Sequence, residues 1–200
     1  MKWQLLLLAL CSCAEAAGDM EAKAILFDAS ALVGGRAERV GSVTFKQASG
    51  FSSNLFHTII HSGFPNSLHG FHVHVSGDLS NGCTSALGHY NPENMYHGGP
   101  ADAIRHVGDL GNVRSDRNGS ILDSEIQLHG AHSILGRMLV LHQNEDDLGR
   151  GNFPDSKTTG HAGPRIACGI IGLVSAGFAQ LPSPLLLLAS LLALKYFLPQ

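Results

Sequence analysis

The chain has 200 residues, enough for one ordinary domain, and a formal net charge of −3, which excludes a broad nucleic-acid-binding surface. Its 24 glycines and scarce helix-period patterning argue for short strands joined by many turns. Twelve histidines are too many for their number alone to mean anything, so any argument for a site must come from spacing.

In chain order, residues 1–16 come first. They hold an early Lys2, an apolar run over 5–10 too short to span a bilayer, and Ala14-Glu15-Ala16. That is the layout of a secretory signal peptide. The domain is expected over 17–175, as eight strands at 22–28, 40–47, 55–60, 71–75, 110–115, 120–128, 137–142 and 165–173. Several alternate apolar and polar residues, as in Ser42-Val43-Thr44-Phe45, which suits half-buried strands. Asn118-Gly119 predicts a hairpin turn, because both residues tolerate positive φ. The stretches 77–109 and 143–164 are long, poor in apolar residues and rich in Gly, Asn, Asp and Pro. Long ordered loops in a compact domain are usually functional, and the site is expected between these two.

The tail, 176–200, closes the chain. The small residues Ser175-Ala176-Gly177 lead into a spacer with Pro182 and Pro184, then an uncharged leucine-rich run over 185–194. A spanning helix needs about 20 apolar residues. The layout instead fits a hydrophobic propeptide removed when a glycosylphosphatidylinositol (GPI) anchor is attached; a short transmembrane tail or an uncleaved amphipathic tail are the other readings. Export and anchoring together imply an extracellular protein on the cell surface, with a secreted soluble form as the alternative. Cys11 and Cys13 leave with the signal, so Cys83 and Cys168 remain, and two cysteines in an exported domain most simply pair. A crosslink across that separation is worth about 4–5 kcal/mol in the chain-entropy model.

The histidines carry the chemistry. In Phe71-His72-Val73-His74 the two imidazoles, at i and i+2 on a strand, point to one side. His89, His97, His106 and Asp109 follow in the first loop at spacings of 8, 9 and 3, and His142 ends a strand just before the second loop. Four imidazoles suit copper, and three imidazoles with one carboxylate suit zinc. Seven residues satisfy both sets only if one imidazole is shared, giving up both ring protons.

Three groups of residues match a family closely: Gly70-Phe71-His72-Val73-His74 with Gly82-Cys83-Thr84-Ser85-Ala86, the run from Arg105 to Val113, and Asp146-Asp147-Leu148-Gly149-Arg150-Gly151 with Arg165-Ile166-Ala167-Cys168-Gly169. The chain resembles the copper/zinc superoxide dismutases over about 22–173, and its secretion signal together with Asp78-Leu79-Ser80 makes it look closer to the extracellular members. The resemblance implies an all-β fold, an eight-stranded Greek-key β-barrel or sandwich with two long functional loops. It implies copper ligands His72, His74, His89 and His142, and zinc ligands His89, His97, His106 and Asp109, one ion of each per chain. It implies that Asp146 links a copper-ligand to a zinc-ligand histidine, that Cys83 and Cys168 form the intrachain disulfide, and that Arg165 draws in the anion. The activity implied is dismutation of superoxide to dioxygen and hydrogen peroxide, with His89 supplying one proton and zinc structural. A non-catalytic secreted copper/zinc-binding protein on the same fold is the rival, although storage alone has no use for an anion guide.

Three positions depart from the family pattern. Ser76 stands where a Phe marks the usual dimer contact, so a homodimer is expected to be weak or rearranged. Leu87-Gly88 replaces Gly-Pro before the bridging histidine, placing a side chain near Arg165. The second loop, Asn152-Phe153-Pro154-Asp155-Ser156-Lys157, lacks two adjacent acids and carries its lysine one place early. Asn118-Gly119-Ser120 is an N-glycosylation sequon on an expected surface turn. His57, His61, His129, His132 and His161 have no place in the scheme and are expected at the surface; His69 is expected to be structural.

Overall fold

The computed structural model describes residues 18–49, 54–60, 64–65, 67–115 and 118–176. The signal at 1–16 and nearly all of the tail at 176–200 lie outside them, as do the side chains of His57 and His61. The strands are β1 (Met20–Asp28), β2 (Arg39–Gln47), β3 (Asn54–Ile60), β4 (Leu68–His74), β5 (Ser80–Cys83), β6 (Asp109–Arg114), β7 (Gly119–Asp123), β8 (Met138–His142) and β9 (Arg165–Ala176). Two short helices, α1 (Ala29–Val33) and α2 (Ser156–Thr159), complete the set.

All strands but β5 join one antiparallel sheet in the order β6-β4-β8-β9-β1-β2-β3-β7. The connections β3 to β4 and β7 to β8 each cross between its two halves, the Greek-key arrangement expected of this sequence. The sheet curls around a core that includes Leu26, Phe45, Phe71, Leu110, Ile126, Leu128, Leu139 and Leu141, all essentially inaccessible to solvent. Period-two alternation explains how β4 and β8 serve two purposes. Phe71 and Val73 of β4 and Leu139 and Leu141 of β8 point into this core. Met138 and Val140 point the other way, into a smaller cluster around Cys83 and Cys168. His72 and His74 share the outward face of β4, and the two long loops cover it.

Four local features differ from the sequence reading. β7 ends at Asp123, short of the expected 128, because the Asp123 carboxylate accepts from the amides of Glu125 and Ile126 and turns the chain. Ile126 and Leu128 still reach the core, which gives them the pattern of strand residues. Asn118-Gly119 does not make the expected hairpin turn: Gly119 has no positive φ and is the first residue of β7, and β6 and β7 are the two ends of the sheet order. α1 has no counterpart in the sequence reading, although Asp28 caps it by accepting from the amides of Ser30 and Ala31. The first long stretch also contains β5 and a 3-10 turn over Thr84–Ala86.

Candidate metal centre

The outward histidines of β4 meet two others because of strand pairing. β8 lies beside β4, with His72 opposite Val140, and its last residue is His142. His74 also forms a bridge with His89 of the first loop. As a result His72, His74, His89 and His142 form one four-residue group, and His89, His97, His106 and Asp109 a second. Within each, one donor atom per residue lies within 4.8 Å of the others, and every member is buried. His89 belongs to both.

Which ring nitrogen faces each group follows from the hydrogen bonds on the other nitrogen. His74 Nδ1 donates to the Leu87 carbonyl at 2.8 Å and His142 Nδ1 to the Gly163 carbonyl at 2.9 Å. Carbonyls only accept, so both rings carry the proton on Nδ1 and turn a bare Nε2 inward, where the two Nε2 atoms stand 3.3 Å apart. His72 and His97 are the reverse. Each donates from Nε2 to one oxygen of Asp146, at 2.8 and 2.9 Å, leaving Nδ1 bare. His72 Nδ1, His89 Nε2 and His97 Nδ1 are buried with no hydrogen-bond partner. Orphaned lone pairs of this kind, converging from several rings, are what a metal ion satisfies. His97 Nδ1 does lie 3.0 Å from Asp109 Oδ2, but without hydrogen-bonding geometry.

Asp109 anchors the second group. Its Oδ1 lies 2.9 Å from His89 Nδ1 and 3.1 Å from His106 Nδ1, while its Oδ2 accepts from the amides of Gly98 and His106. A third cluster, His72 with His97 and Asp146, is already closed by the two imidazole-to-carboxylate bonds and acts as a link between the others. Asp146 is itself fixed, since Asn112 exchanges two 2.8 Å bonds with its backbone and Leu148 N donates to Oδ1 at 2.7 Å. A Cβ on Gly160 would fall 1.9 Å from Asp146 Oδ1 and 2.5 Å from His97 Nε2, so only glycine lets the second loop cross here.

Burial sets the charge state. Desolvation, aided by the neighbouring imidazoles, holds His72 and His74 well below the ordinary imidazole range. The same cause lowers His89, and pushes His142 down to about 4. Burial also pulls on His97, but the carboxylates of Asp109 and Asp146 beside it outweigh that in the metal-free protein and raise it to about 9. Burial would raise Asp109, but the imidazoles of His106, His89 and His97 around it hold it well below the carboxylate range.

The family described as copper/zinc superoxide dismutase matches residues 39–171. The chain belongs to the copper/zinc superoxide dismutase family. An extracellular Cu-Zn superoxide dismutase of Caenorhabditis elegans is 47% identical over 176 residues, covering 84% of this chain and 77% of that protein. A Cu-Zn superoxide dismutase of Cordyceps militaris is 48% identical over 145 residues, 70% of this chain and 94% of that protein. An extracellular Cu-Zn superoxide dismutase of Haemonchus contortus is 53% identical over 117 residues, 56% of this chain and 64% of that protein.

Other residues singled out from the sequence of this superoxide dismutase chain are also in place. Cys83 and Cys168 form a disulfide with Cα atoms 5.7 Å apart, fastening the first loop to β9. Arg165 opens β9 opposite His142, half-buried, and donates from Nη1 to the carbonyls of Cys83 and Thr84 at 2.6 and 2.9 Å and from Nη2 to that of Leu87. His69 is buried and shares a 2.9 Å bond with the His142 carbonyl. His129 is exposed, whereas His132 and His161 are half-buried. His132 lies 3.0 Å from Glu93, and His161 stacks on Phe153 with ring centroids 3.7 Å apart.

Sequence reasoning assigns no role to Arg105. Buried, it donates to the Asp109 carbonyl at 2.6 Å and pairs with Asp123 at 2.7 Å, tying the second metal group to β7. The only signal is an arginine next to a histidine of interest. The carbonyls of Leu87 and Gly163 are equally hidden, because a backbone acceptor has no residue type to give it away.

Proposed function

We propose that this chain dismutates superoxide outside the cell, with His72 Nδ1 and the Nε2 atoms of His74, His89 and His142 as copper ligands. His89 Nδ1, His97 Nδ1, His106 Nδ1 and an Asp109 oxygen hold zinc. The observation that carries this reading is the shared imidazole. His89 turns one nitrogen to each group, while His72, His74, His97 and His142 have their second nitrogen committed to a carbonyl or carboxylate. Copper supplies a one-electron couple when bound, and zinc supplies charge without changing oxidation state.

The rest of the work falls to the chain. One superoxide gives up its electron and leaves as dioxygen; a second takes that electron and two protons and leaves as hydrogen peroxide. His89 would take up and deliver one of the two protons at Nε2 whenever that nitrogen is not holding a metal, since no hydrogen bond commits it, and solvent supplies the other. Asp146 keeps His72 and His97 in the tautomer that leaves Nδ1 bare, and Leu87 and Gly163 do the reverse for His74 and His142. Arg165 attracts the anion, its planar guanidinium held open by the three carbonyls it bonds. Elemental analysis of metal-reconstituted protein should find one copper and one zinc per chain, with superoxide consumed in a direct assay. Both metals bound without consumption would favour the non-catalytic binding protein; absence of zinc would remove the two-metal reading.

Residues 1–16 act as the signal peptide, 17–175 as the enzyme domain, and 176–200 as the propeptide of a GPI anchor. Among the described residues no helix is long and apolar enough to cross a membrane. Phosphatidylinositol-specific phospholipase should release activity from intact cells, and peptides from 185–194 in the mature protein would rule the anchor out. Asn118 is exposed and carries the glycan. A homodimer forms weakly, through the face around Ser76 where Val75 and Ile170 stay 42% and 40% exposed. Sedimentation showing a stable dimer at nanomolar concentration would overturn that assignment.

A further inference from the structure

Leu87 sits at φ 65°, ψ −147°. In this region a Cβ crowds its own backbone, and it is occupied essentially by glycine. Leucine has no polar group to bond locally, and with the residue 59% exposed, burial of its side chain does little to offset the strain. Its neighbour Gly88 has open space where a Cβ would stand. The chain therefore places leucine where the backbone demands glycine, and glycine where nothing demands it.

Such a conformation persists only when its surroundings enforce it. Here three successive carbonyls are fastened. Ala86 O accepts from Ser76 N and Gly88 O from Val75 N, each at 3.0 Å. Between them Leu87 O accepts from two groups of different purpose, His74 Nδ1 at 2.8 Å and Arg165 Nη2. His74 is a member of the first metal group, and Arg165 is the half-buried cation beside it. Were the strained peptide to relax by rotating its carbonyl, both bonds would be lost together.

We propose that Leu87 is a positioning residue whose strained carbonyl couples the Arg165 guanidinium to the copper-facing orientation of His74. Arg165 holds the peptide against its own strain, and the peptide in turn keeps the proton on His74 Nδ1 and Nε2 free. Glycine at this position would leave the same bonds in place without strain, so each could break without disturbing the other. The inference rests on His74 facing copper, but not on Arg165 guiding superoxide.

The test is a two-by-two set: wild type, Leu87→Gly, Arg165→Ile and the double variant, with Leu87→Ala as the conservative control. Two readouts apply. In disulfide-intact protein stripped with EDTA, Leu87→Gly should raise the thermal midpoint by about 3–8 °C as the strain is relieved, and Leu87→Ala, which keeps Cβ, should not. In copper-reconstituted protein, Arg165→Ile should change the Cu(II) electron paramagnetic resonance spectrum when residue 87 is Leu or Ala. With Gly at 87 that change should fall to less than half. The same spectral change in both backgrounds, no change in either, or no rise in midpoint for Leu87→Gly would overturn the coupling. Wild-type superoxide rates in Arg165→Ile would instead overturn the guiding role of Arg165 and leave the coupling standing.

Discussion

Asp146 offers the sharpest test of how the two metal groups depend on each other. Its two oxygens receive imidazole N–H groups from His72 and His97 at 2.8 and 2.9 Å, and all three side chains are fully buried. Asp146→Asn keeps the shape but offers one acceptor in place of two. Oδ1 also accepts from Leu148 N, so the amide oxygen should stay on the side of His97 and Leu148. The NH2 group then meets His72 Nε2–H, donor against donor. A hydrogen bond to a charged group contributes about 1.5–3 kcal/mol, and each 1.4 kcal/mol is tenfold in an equilibrium constant. Metal retention should therefore fall by about 10–100-fold, the range found when the partner of a ligating histidine is removed. Asp146→Ala should cost more, because both imidazoles lose their acceptor. The assay is competition of reconstituted protein against a chelator series, with copper and zinc followed separately. Retention of both metals in Asp146→Asn within twofold of wild type would refute the claim that Asp146 holds the ligands in place.

Activity should fall in the order Arg, Lys, Ile, Glu at position 165 with both metals still bound, since steering contributes about 10–10³-fold to encounter rates and Lys lacks the fork for three carbonyls. Added salt should slow the wild type, and an Arg165→Glu variant as fast as the wild type with full metal content would make the residue structural. Protein stripped with EDTA should be most stable near pH 6.5. Below it the unfolded chain protonates histidines near 6.5 that burial keeps neutral in the fold, His142 down to about 4, so stability falls as pH falls; above it the stabilising charge on His97 is lost as pH rises toward about 9. Urea midpoints that change monotonically from pH 4.5 to 8.5 would contradict this. Secreted protein from a eukaryotic host should shift in mobility on glycosidase treatment, and Asn118 seen unmodified by mass spectrometry would argue against the glycan.

Much of this architecture is legible in the sequence because the chemistry requires residue types with few substitutes. His-x-His on a strand points two rings one way whatever surrounds it, and seven candidate ligands spread over β4, the first long loop and the ends of β6 and β8 leave few folds that bring them together. Period-two alternation locates the eight strands of the sheet to within a few residues. It fails where a side chain cuts a ladder short, as Asp123 does, and where buried residues outside any strand have the pattern of strand, as Ile126 and Leu128 do. The Asn118-Gly119 signal misleads: Gly119 takes no positive φ and opens β7, which pairs with β3 instead of β6. A dipeptide that tolerates a turn does not require one, and here the chain passes between the two ends of a curled sheet.

What stays hidden has a common physical origin. The tautomers of His74 and His142 are fixed by backbone carbonyls, and every residue has one, so no residue type announces the bond. The geometry of that carbonyl is where sequence re-enters the problem. Gly163 meets its demand with φ 75°, which glycine adopts freely. Leu87 meets a similar demand at φ 65° without that freedom, and it serves two donors instead of one. The rings of His74 and His142 therefore rest on supports of unequal strain, although the hydrogen bonds they make, 2.8 and 2.9 Å, are alike. If strain alone decides how easily a ligand is released, His74 should be the first of the four to let go of copper. Electron paramagnetic resonance on a chelator titration would show it: Leu87→Gly should delay the first spectral change, whereas Gly163→Ala should bring it forward.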